Sequence, residues 1–107
     1  MLKSVKLKDK ILEVPIIQGG MGVGISLSGL VGNVMRENCM GVLSFAHPGY
    51  SCKTFLKETS KDNFLAMKEE VDKARKISGG KGLLGVNVMV ATTEYASYVK
   101  ECVKLGV

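Results

Sequence analysis

Aromatic residues are scarce in this sequence, at 6% of 107 residues, and they do not interleave with a stripe of basic side chains. A nucleic-acid-binding protein with a formal net charge of +5 would be expected to show such a stripe, with rings that stack on bases. The basic residues alternate instead with acids, most clearly across residues 68–76. That alternation is typical of the solvated face of a helix. We therefore expect no nucleic-acid partner.

Cysteine is also rare. The three cysteines, Cys39, Cys52 and Cys102, are odd in number and widely spaced, and no Cys-x-x-Cys pair occurs. His47 is the single histidine that could join them as a metal ligand. Neither a disulfide framework nor a zinc site is typical of such spacing. We therefore expect a cytoplasmic location, where thiols stay reduced, and no bound metal.

Long apolar runs are missing as well. Near the amino terminus, Lys8, Asp9, Lys10 and Glu13 interrupt any segment that could form the core of a signal peptide. Residues 14–35 carry no charge, but their many glycines and several polar side chains make them too polar for a membrane span. We expect neither export nor membrane insertion. The 46% of hydrophobic residues is enough for one modest core.

The first buried strand is predicted at residues 14–18, which run from near Pro15 into a series of glycines. A helix follows, and Ser26 or Ser28 can cap it, because a serine oxygen accepts a bond from a free amide in the first turn. Asn38 ends this helix. Four apolar residues form its predicted stripe: Leu30, Val31, Val34 and Met35.

A second strand is predicted at residues 40–45, an apolar run that is too short for a helix and rich in strand formers. The chain leaves this strand through a turn that contains His47. A second helix follows, and Gly79 stops it. The apolar positions of this helix step by three or four residues: Phe64, Met67, Val71, Ala74 and Ile77.

The third strand, predicted at residues 83–90, alternates in a way that assigns its two faces. One face carries aliphatic side chains: Leu84, Val86, Val88 and Val90. The other face carries Gly85, Asn87 and Met89. A third helix begins at about Thr93, and its predicted apolar stripe consists of Tyr95, Val99, Cys102 and Val103.

This order of strands and helices predicts parallel βαβ units and an α/β fold. Right-handed crossovers place the carboxyl ends of such strands at one edge. We therefore expect Gln18 and Asn87 on the face away from the helices, and residues 20–22, His47 and the end of the third strand at one rim. Residues 5–13 predict a small hairpin that covers the bottom of the sheet.

The densest motif is PIIQGGMGVG at residues 15–24, where a strand runs into glycines and then a helix start. Glycines allow the backbone to approach a flat or charged ligand, and free amides at a helix start can hold phosphate. A dinucleotide-binding motif would need glycine where Leu27 stands, and no Gly-Lys-Ser or Gly-Lys-Thr occurs. On glycine content alone, a tight turn is an equal alternative.

Two segments, PIIQGGMGVGISLSGLVGNVMRENCMGVLSF and GLLGVNVMVATTEYASYVKECVKLGV, resemble the opening of nitronate monooxygenases and of related flavin-dependent enoyl-acyl-carrier-protein reductases. The pairing of PIIQGGMG with GVNVM is more specific than either motif alone. The resemblance implies that residues 1–107 form one partial domain, about the first three βα units of an FMN-dependent (β/α)₈ TIM barrel. Because such a barrel takes about 250 residues, we expect the chain to be cut off before the barrel closes.

The same resemblance implies that Gly20, Met21, Gly22 and Asn87 contact FMN. An asparagine amide can both donate to and accept from the edge of the isoalloxazine ring. The alternative for Asn87 is a hydrogen-bonded polar group inside the sheet. The catalytic residues stay unassigned, since the family's histidine comes later in the chain, and His47 is expected to be a loop residue.

The function implied by the resemblance is the oxidation of alkyl nitronates with dioxygen by an FMN-dependent oxidoreductase. An FMN-dependent enoyl-acyl-carrier-protein reductase is the alternative, and a noncatalytic fragment of either enzyme is a third. We expect weak FMN binding by this chain, because such barrels usually hold the phosphate in loops after the seventh and eighth strands. We also expect self-association through open sheet edges.

Overall fold

The computed structural model describes residues 2–107 and, within them, an α/β arrangement of three helices and two small sheets. In chain order the elements are β1 (Val5–Leu7), β2 (Lys10–Leu12), α1 (Ser28–Arg36), β3 (Met40–Ser44), α2 (Thr59–Ser78), β4 (Leu83–Asn87) and α3 (Tyr95–Lys104). In this part of the chain, no helix is both long and apolar enough to cross a membrane.

The amino-terminal hairpin is confirmed. β1 and β2 pair in antiparallel fashion, with Val5 opposite Leu12, and Lys8 takes a left-handed φ of 57° in the turn between them. Leu12 is buried, whereas the rest of both strands is exposed. Lys10 lines a cavity with Gly82 at the amino end of β4, so the hairpin lies at the bottom of the sheet as predicted.

The second sheet pairs β3 with β4 in parallel, and α2 lies in the crossover between them, as predicted. Gly41 pairs with Leu84, and Leu43 pairs with Val86, so these residues share one face. That face packs on the helices: Leu43 is buried in the core, and Leu84 and Val86 pack against it. A Cβ added to Gly41 would lie 2.5 Å from the carbonyl oxygen of Val31 on α1, so only glycine permits this close helix–sheet contact.

The predicted first strand has the right position but almost no ladder. Residues 14–18 run beside β3 and form a single parallel bridge, between Ile17 and Met40. Beyond it, the side-chain amide of Gln18 bonds to the backbone of Val42: Oε1 accepts from the amide at 3.0 Å, and Nε2 donates to the carbonyl at 3.3 Å. The bridge places Ile17 on the same face as Met40, so Gln18 lies on the opposite, helix-facing side, and its predicted position on the face away from the helices is wrong.

The core lies between the sheet and the inner sides of the helices. Its fully buried side chains include Val31, Leu43, Met67 and Val71. Each such side chain contributes about 1.5–3 kcal/mol through removal of apolar surface from water. α1 and α2 approach closely at Gly32, where an added Cβ would lie 2.7 Å from the Cβ atom of Ile77.

The second helix follows its predicted pattern except at Ile77, which is 36% exposed. Met67, Val71 and Ala74 are buried along α2, and Phe64 packs against the core from a half-buried position. Gly79 ends the helix with a left-handed φ of 63°, and its amide closes the last turn. The periodicity and the terminating glycine were therefore sufficient to identify this helix.

The third helix buries Cys102, as predicted, but it buries Tyr98 in place of Tyr95, Val99 and Val103. Tyr98 and Cys102 are buried, whereas Val103 is 71% exposed. Tyr95, Val99 and Val103 line an apolar groove of about 420 Å³ beside the free edge of β4. The inclusion of Val103 among the core residues is therefore wrong, because α3 turns Tyr98 toward a buried hydrogen-bond partner on α2.

β4 is shorter than predicted. Its ladder ends at Asn87, whose carbonyl accepts the amide of Phe45 at 3.1 Å. Val88 still packs against the core, but Val90 is 78% exposed, so the prediction that Val90 faces the helices is wrong. β3 ends at Ser44, and the chain after Asn87 has no neighbouring backbone to keep it extended.

Candidate functional site

The glycine loop and the third-strand asparagine meet at the carboxyl ends of the strands. Nδ2 of Asn87 donates to the carbonyl oxygen of Gly20 at 2.8 Å, across 67 positions of sequence. Asn87 lies on the sheet face opposite the helices, since Gly85 shares that face and an added Cβ there would meet the side chains of Met40 and Val42. The predicted clustering at one rim is thus confirmed for these two segments.

Ser26 closes the glycine loop. Its Oγ accepts the Met21 amide at 3.0 Å, and its own amide donates to the Met21 carbonyl at 3.2 Å. Nε2 of Gln18 donates to the same Oγ at 3.3 Å, so Gln18, which is bonded to the backbone of Val42, also holds the loop. Ser26 is buried, and this reciprocal bonding fixes the loop against the sheet.

Gly20 is required by packing as well as by any ligand. A Cβ at Gly20 would lie 2.7 Å from Cγ1 of Val42 and 2.9 Å from the carbonyl oxygen of Leu43. Gly22 takes a φ of +77°, which side chains rarely adopt. The loop therefore reaches its position beside β3 only with glycine at both places.

Two backbone amides of this loop, those of buried Gly20 and half-buried Gly22, make no hydrogen bond within the described residues. The amide of Met21, by contrast, is bonded to Ser26. The Met21 side chain is 75% exposed. In the side chain of Asn87, Oδ1 and the second N–H of Nδ2 also have no partner in the described part of the chain. The rim thus offers donors and an acceptor side by side.

The start of α1 differs from its prediction. The N-cap residue is Leu27, which makes no side-chain cap bond, because Ser26 turns its hydroxyl to the glycine loop. The amide of Ser28 donates instead to Oε2 of Glu70 on α2, at 2.7 Å. The predicted serine cap is wrong, and a carboxylate occupies the amide at the helix start that could otherwise bind phosphate. Leu30, in the first turn, is 46% exposed and lies outside the core.

His47 lies in the turn after β3 with a left-handed φ of 46°, and its exposed ring packs edge-on against Phe55. It borders a groove of about 640 Å³ between the first turns of α2 and α3. None of the four residues expected at the flavin lines this groove. His47 is therefore a loop residue, as predicted. Because β3 ends at Ser44, His47 also lies near the carboxyl ends of the strands, and this prediction is confirmed.

Sequence reasoning missed a buried polar pair beneath this groove. Asn63 is fully buried: its Oδ1 accepts the amide of Gly49 at 2.9 Å, and its Nδ2 donates to Oη of Tyr98 at 3.0 Å. The signal was present, since Asn63 lies four residues before Met67 and extends the buried stripe of α2 toward its start. Tyr98 likewise precedes buried Cys102 by four residues on α3.

Burial raises the pKa of the Tyr98 phenol; the hydrogen bond from Asn63 opposes this shift, and the nearby charge of Glu94 adds to it. Burial also raises the pKa of the Cys102 thiol, which keeps it protonated and poorly nucleophilic. Both groups are therefore neutral near pH 7. The described residues contain no cluster of three or more histidine, cysteine or acidic side chains that could hold a metal ion.

No protein-family model matches this chain, and no curated protein matches it either. Its function has therefore to be inferred from the geometry of the rim and from the sequence motifs.

Proposed function

We propose that this chain contributes the flavin-facing rim of an FMN-dependent oxidoreductase built on a (β/α)₈ barrel. The observation that carries the proposal is the 2.8 Å hydrogen bond between Asn87 and Gly20. It joins the two motifs that resemble nitronate monooxygenases at one end of one sheet. Ligands of α/β proteins bind at the carboxyl ends of parallel strands.

The groups at this rim fit the ring system of a flavin. The isoalloxazine edge alternates donors and acceptors, and the free amides of Gly20 and Gly22 together with the Asn87 amide match both kinds. The adjoining sheet face is apolar, because the side chains of Met40 and Val42 lie over Gly85.

Each residue has a separate task in this proposal. FMN would supply the electron transfer between an alkyl nitronate and dioxygen, in which two nitronates and one dioxygen yield two carbonyl compounds and two nitrite ions. Gly20 and Gly22 would bind the ring edge through their amides, and Asn87 would orient it while holding the Gly20 carbonyl away from the ring. Gln18 and Ser26 position the loop through their mutual hydrogen bond.

The phosphate of FMN has no place at the start of α1 in this arrangement. The Ser28 amide is bonded to the Glu70 carboxylate, and a phosphate there would meet a negative charge. We therefore assign to this chain the ring contacts alone. A cytoplasmic location accompanies the proposal, because flavin reduction chemistry and three free thiols suit a reducing compartment.

The test is a titration of the chain with two flavins, FMN and lumiflavin, which lacks the ribityl phosphate. We expect both to bind with the same affinity, with a dissociation constant on the order of 0.1 mM, because only the ring is contacted. The measurement is quenching of flavin fluorescence together with the shift of the visible absorbance band.

Two variants connect the binding to the rim. Asn87→Ala is expected to weaken the binding of both flavins about tenfold, because one oriented side-chain amide is lost. The circular dichroism spectrum should stay unchanged. Asn33→Ala, which removes an exposed amide on α1 far from the rim, is the control and leaves the affinity unchanged. Absence of flavin binding at millimolar concentration, or equal affinity of Asn87→Ala and the wild type, overturns the proposal.

A further inference from the structure

The groove between α2 and α3 has the features of a second ligand site. It measures about 640 Å³ and lies beside the turn that follows β3. Its lining includes His47, Asn63, Met89, Glu94 and Tyr98, and none of the residues of the proposed flavin site. It is therefore separate from the rim at Gly20.

The floor of the groove presents a hydrogen-bond donor with no protein acceptor. Tyr98 is buried, and its oxygen accepts from Nδ2 of Asn63 at 3.0 Å. The hydroxyl proton has no acceptor among the described residues. Because Asn63 is itself fixed by the Gly49 amide, the phenol cannot turn this proton toward the asparagine oxygen. A ligand oxygen in the groove would satisfy it.

One wall of the groove carries a negative charge. Oε2 of Glu94 accepts from Oγ of Ser60 at 2.7 Å, which holds the carboxylate between the two helices. No lysine or arginine lines the groove, although the chain as a whole has a formal charge of +5. Glu94 is also the residue that precedes the first turn of α3, and the amino-terminal dipoles of α2 and α3 offset part of its charge. The preference for a cation therefore comes from direct contact with this carboxylate.

A small apolar pocket of about 60 Å³ adjoins the groove and shares Met89 and Tyr98 with it. Phe45 and Ala46 form its apolar wall. Its volume is about that of two water molecules in the liquid, which suits a short alkyl group.

We propose that this groove binds a small organic cation that also carries a hydroxyl or carbonyl oxygen. The ammonium group pairs with Glu94, the oxygen accepts from the Tyr98 hydroxyl, and a short alkyl group enters the pocket at Phe45 and Ala46. A buried donor, a carboxylate with no lysine or arginine beside it in the groove lining and a small apolar pocket together specify this class of ligand.

The test compares three probes of similar size by NMR titration of the full chain: 2-amino-1-butanol, 1,2-butanediol and 2-hydroxybutyrate. We expect the amino alcohol to shift the amide resonances of Asn63 and Glu94 with a dissociation constant on the order of 1 mM. The neutral diol binds about fivefold more weakly, and the anion does not bind. The titration uses no flavin, so its outcome is independent of that of the flavin titration.

Three variants assign the contacts. Glu94→Gln lowers the affinity for the amino alcohol about fivefold and leaves that for the diol unchanged. Tyr98→Phe lowers the affinity for both the amino alcohol and the diol, and its circular dichroism spectrum is recorded to show that the chain is folded. Glu101→Gln removes the same charge from the same helix outside the groove, where Glu101 pairs with Lys104, and changes neither affinity. The proposal is overturned if the anion binds as well as the amino alcohol, if no probe shifts these resonances, or if Glu94→Gln behaves as Glu101→Gln does.

Discussion

The carboxylate of Glu70 on α2 accepts the backbone amide of Ser28 at 2.7 Å, so one helix caps the start of another. Glu70 lies 42 positions from Ser28, and its side chain is only 14% exposed. A half-buried anion at a helix amino terminus is favoured both by the hydrogen bond and by the helix dipole. This contact links the start of α1 to α2 and occupies an amide that could otherwise bind phosphate.

Loss of this cap should destabilise the chain. Glu70→Ala is expected to lower the free energy of unfolding by about 1–3 kcal/mol, because an amide at the start of α1 loses its charged acceptor. Urea unfolding measures the change, with exposed Glu69→Ala as the control. Excess phosphate should raise the melting temperature of Glu70→Ala but not of the wild type, since only the variant leaves the helix start free. An identical response of both proteins to phosphate would contradict the assignment.

The close approach of Gly20 to β3 gives a paired prediction. Gly20→Ala places a Cβ 2.7 Å from the Val42 side chain and should cost about 1–3 kcal/mol of stability or displace the loop. Gly19→Ala is the matched control, because no atom lies within 4 Å of a Cβ at that position, and it should change stability by less than about 0.5 kcal/mol. Thermal unfolding of the two variants compares them, and equal melting temperatures would show that the loop is not held against the strand.

Tyr98 should make stability depend on pH in the alkaline range. Its pKa in the folded chain is raised, chiefly by burial, above the unfolded value of about 10. The stabilisation is therefore fully present below pH 10 and is lost as the pH rises through the folded pKa. Urea unfolding from pH 8 to 11 should show a steeper loss for the wild type than for Tyr98→Phe. Tyr95→Phe, on the exposed side of the same helix, is expected to keep the wild-type slope.

The free edge of β4 should promote self-association. The apolar groove beside it is lined by Val99 and Val103, and an unpaired strand next to apolar side chains favours contact with a second chain. We expect sedimentation velocity to show concentration-dependent association of the wild type. Val103→Lys should reduce it, whereas Ser97→Lys, which adds the same charge elsewhere on α3, should not. A wild-type chain that stays monomeric at all concentrations would exclude this role for the edge.

The helices and strands that follow a strong local pattern were predictable. The stripe of Met67, Val71 and Ala74 identified α2, and Gly79 marked its end, because both signals arise from residues within a few turns of each other. The parallel pairing of β3 with β4 followed from the crossover between them. The side of the sheet on which Asn87 lies followed from the alternation of side chains along a strand.

Hydrogen bonds between residues that lie far apart in sequence depended on the tertiary structure. The side chain of Gln18 follows β3, the hydroxyl of Ser26 closes a loop and caps no helix, and Tyr98 turns inward to meet Asn63. Each of these polar groups had several local alternatives of similar energy, and the choice between them depended on which acceptor or donor the packed elements placed within 3.3 Å. Residue order therefore determined which elements form and the buried stripe of α2, whereas packing determined the buried face of α3 and which polar atoms meet, because a hydrogen bond depends on distances that periodicity does not specify.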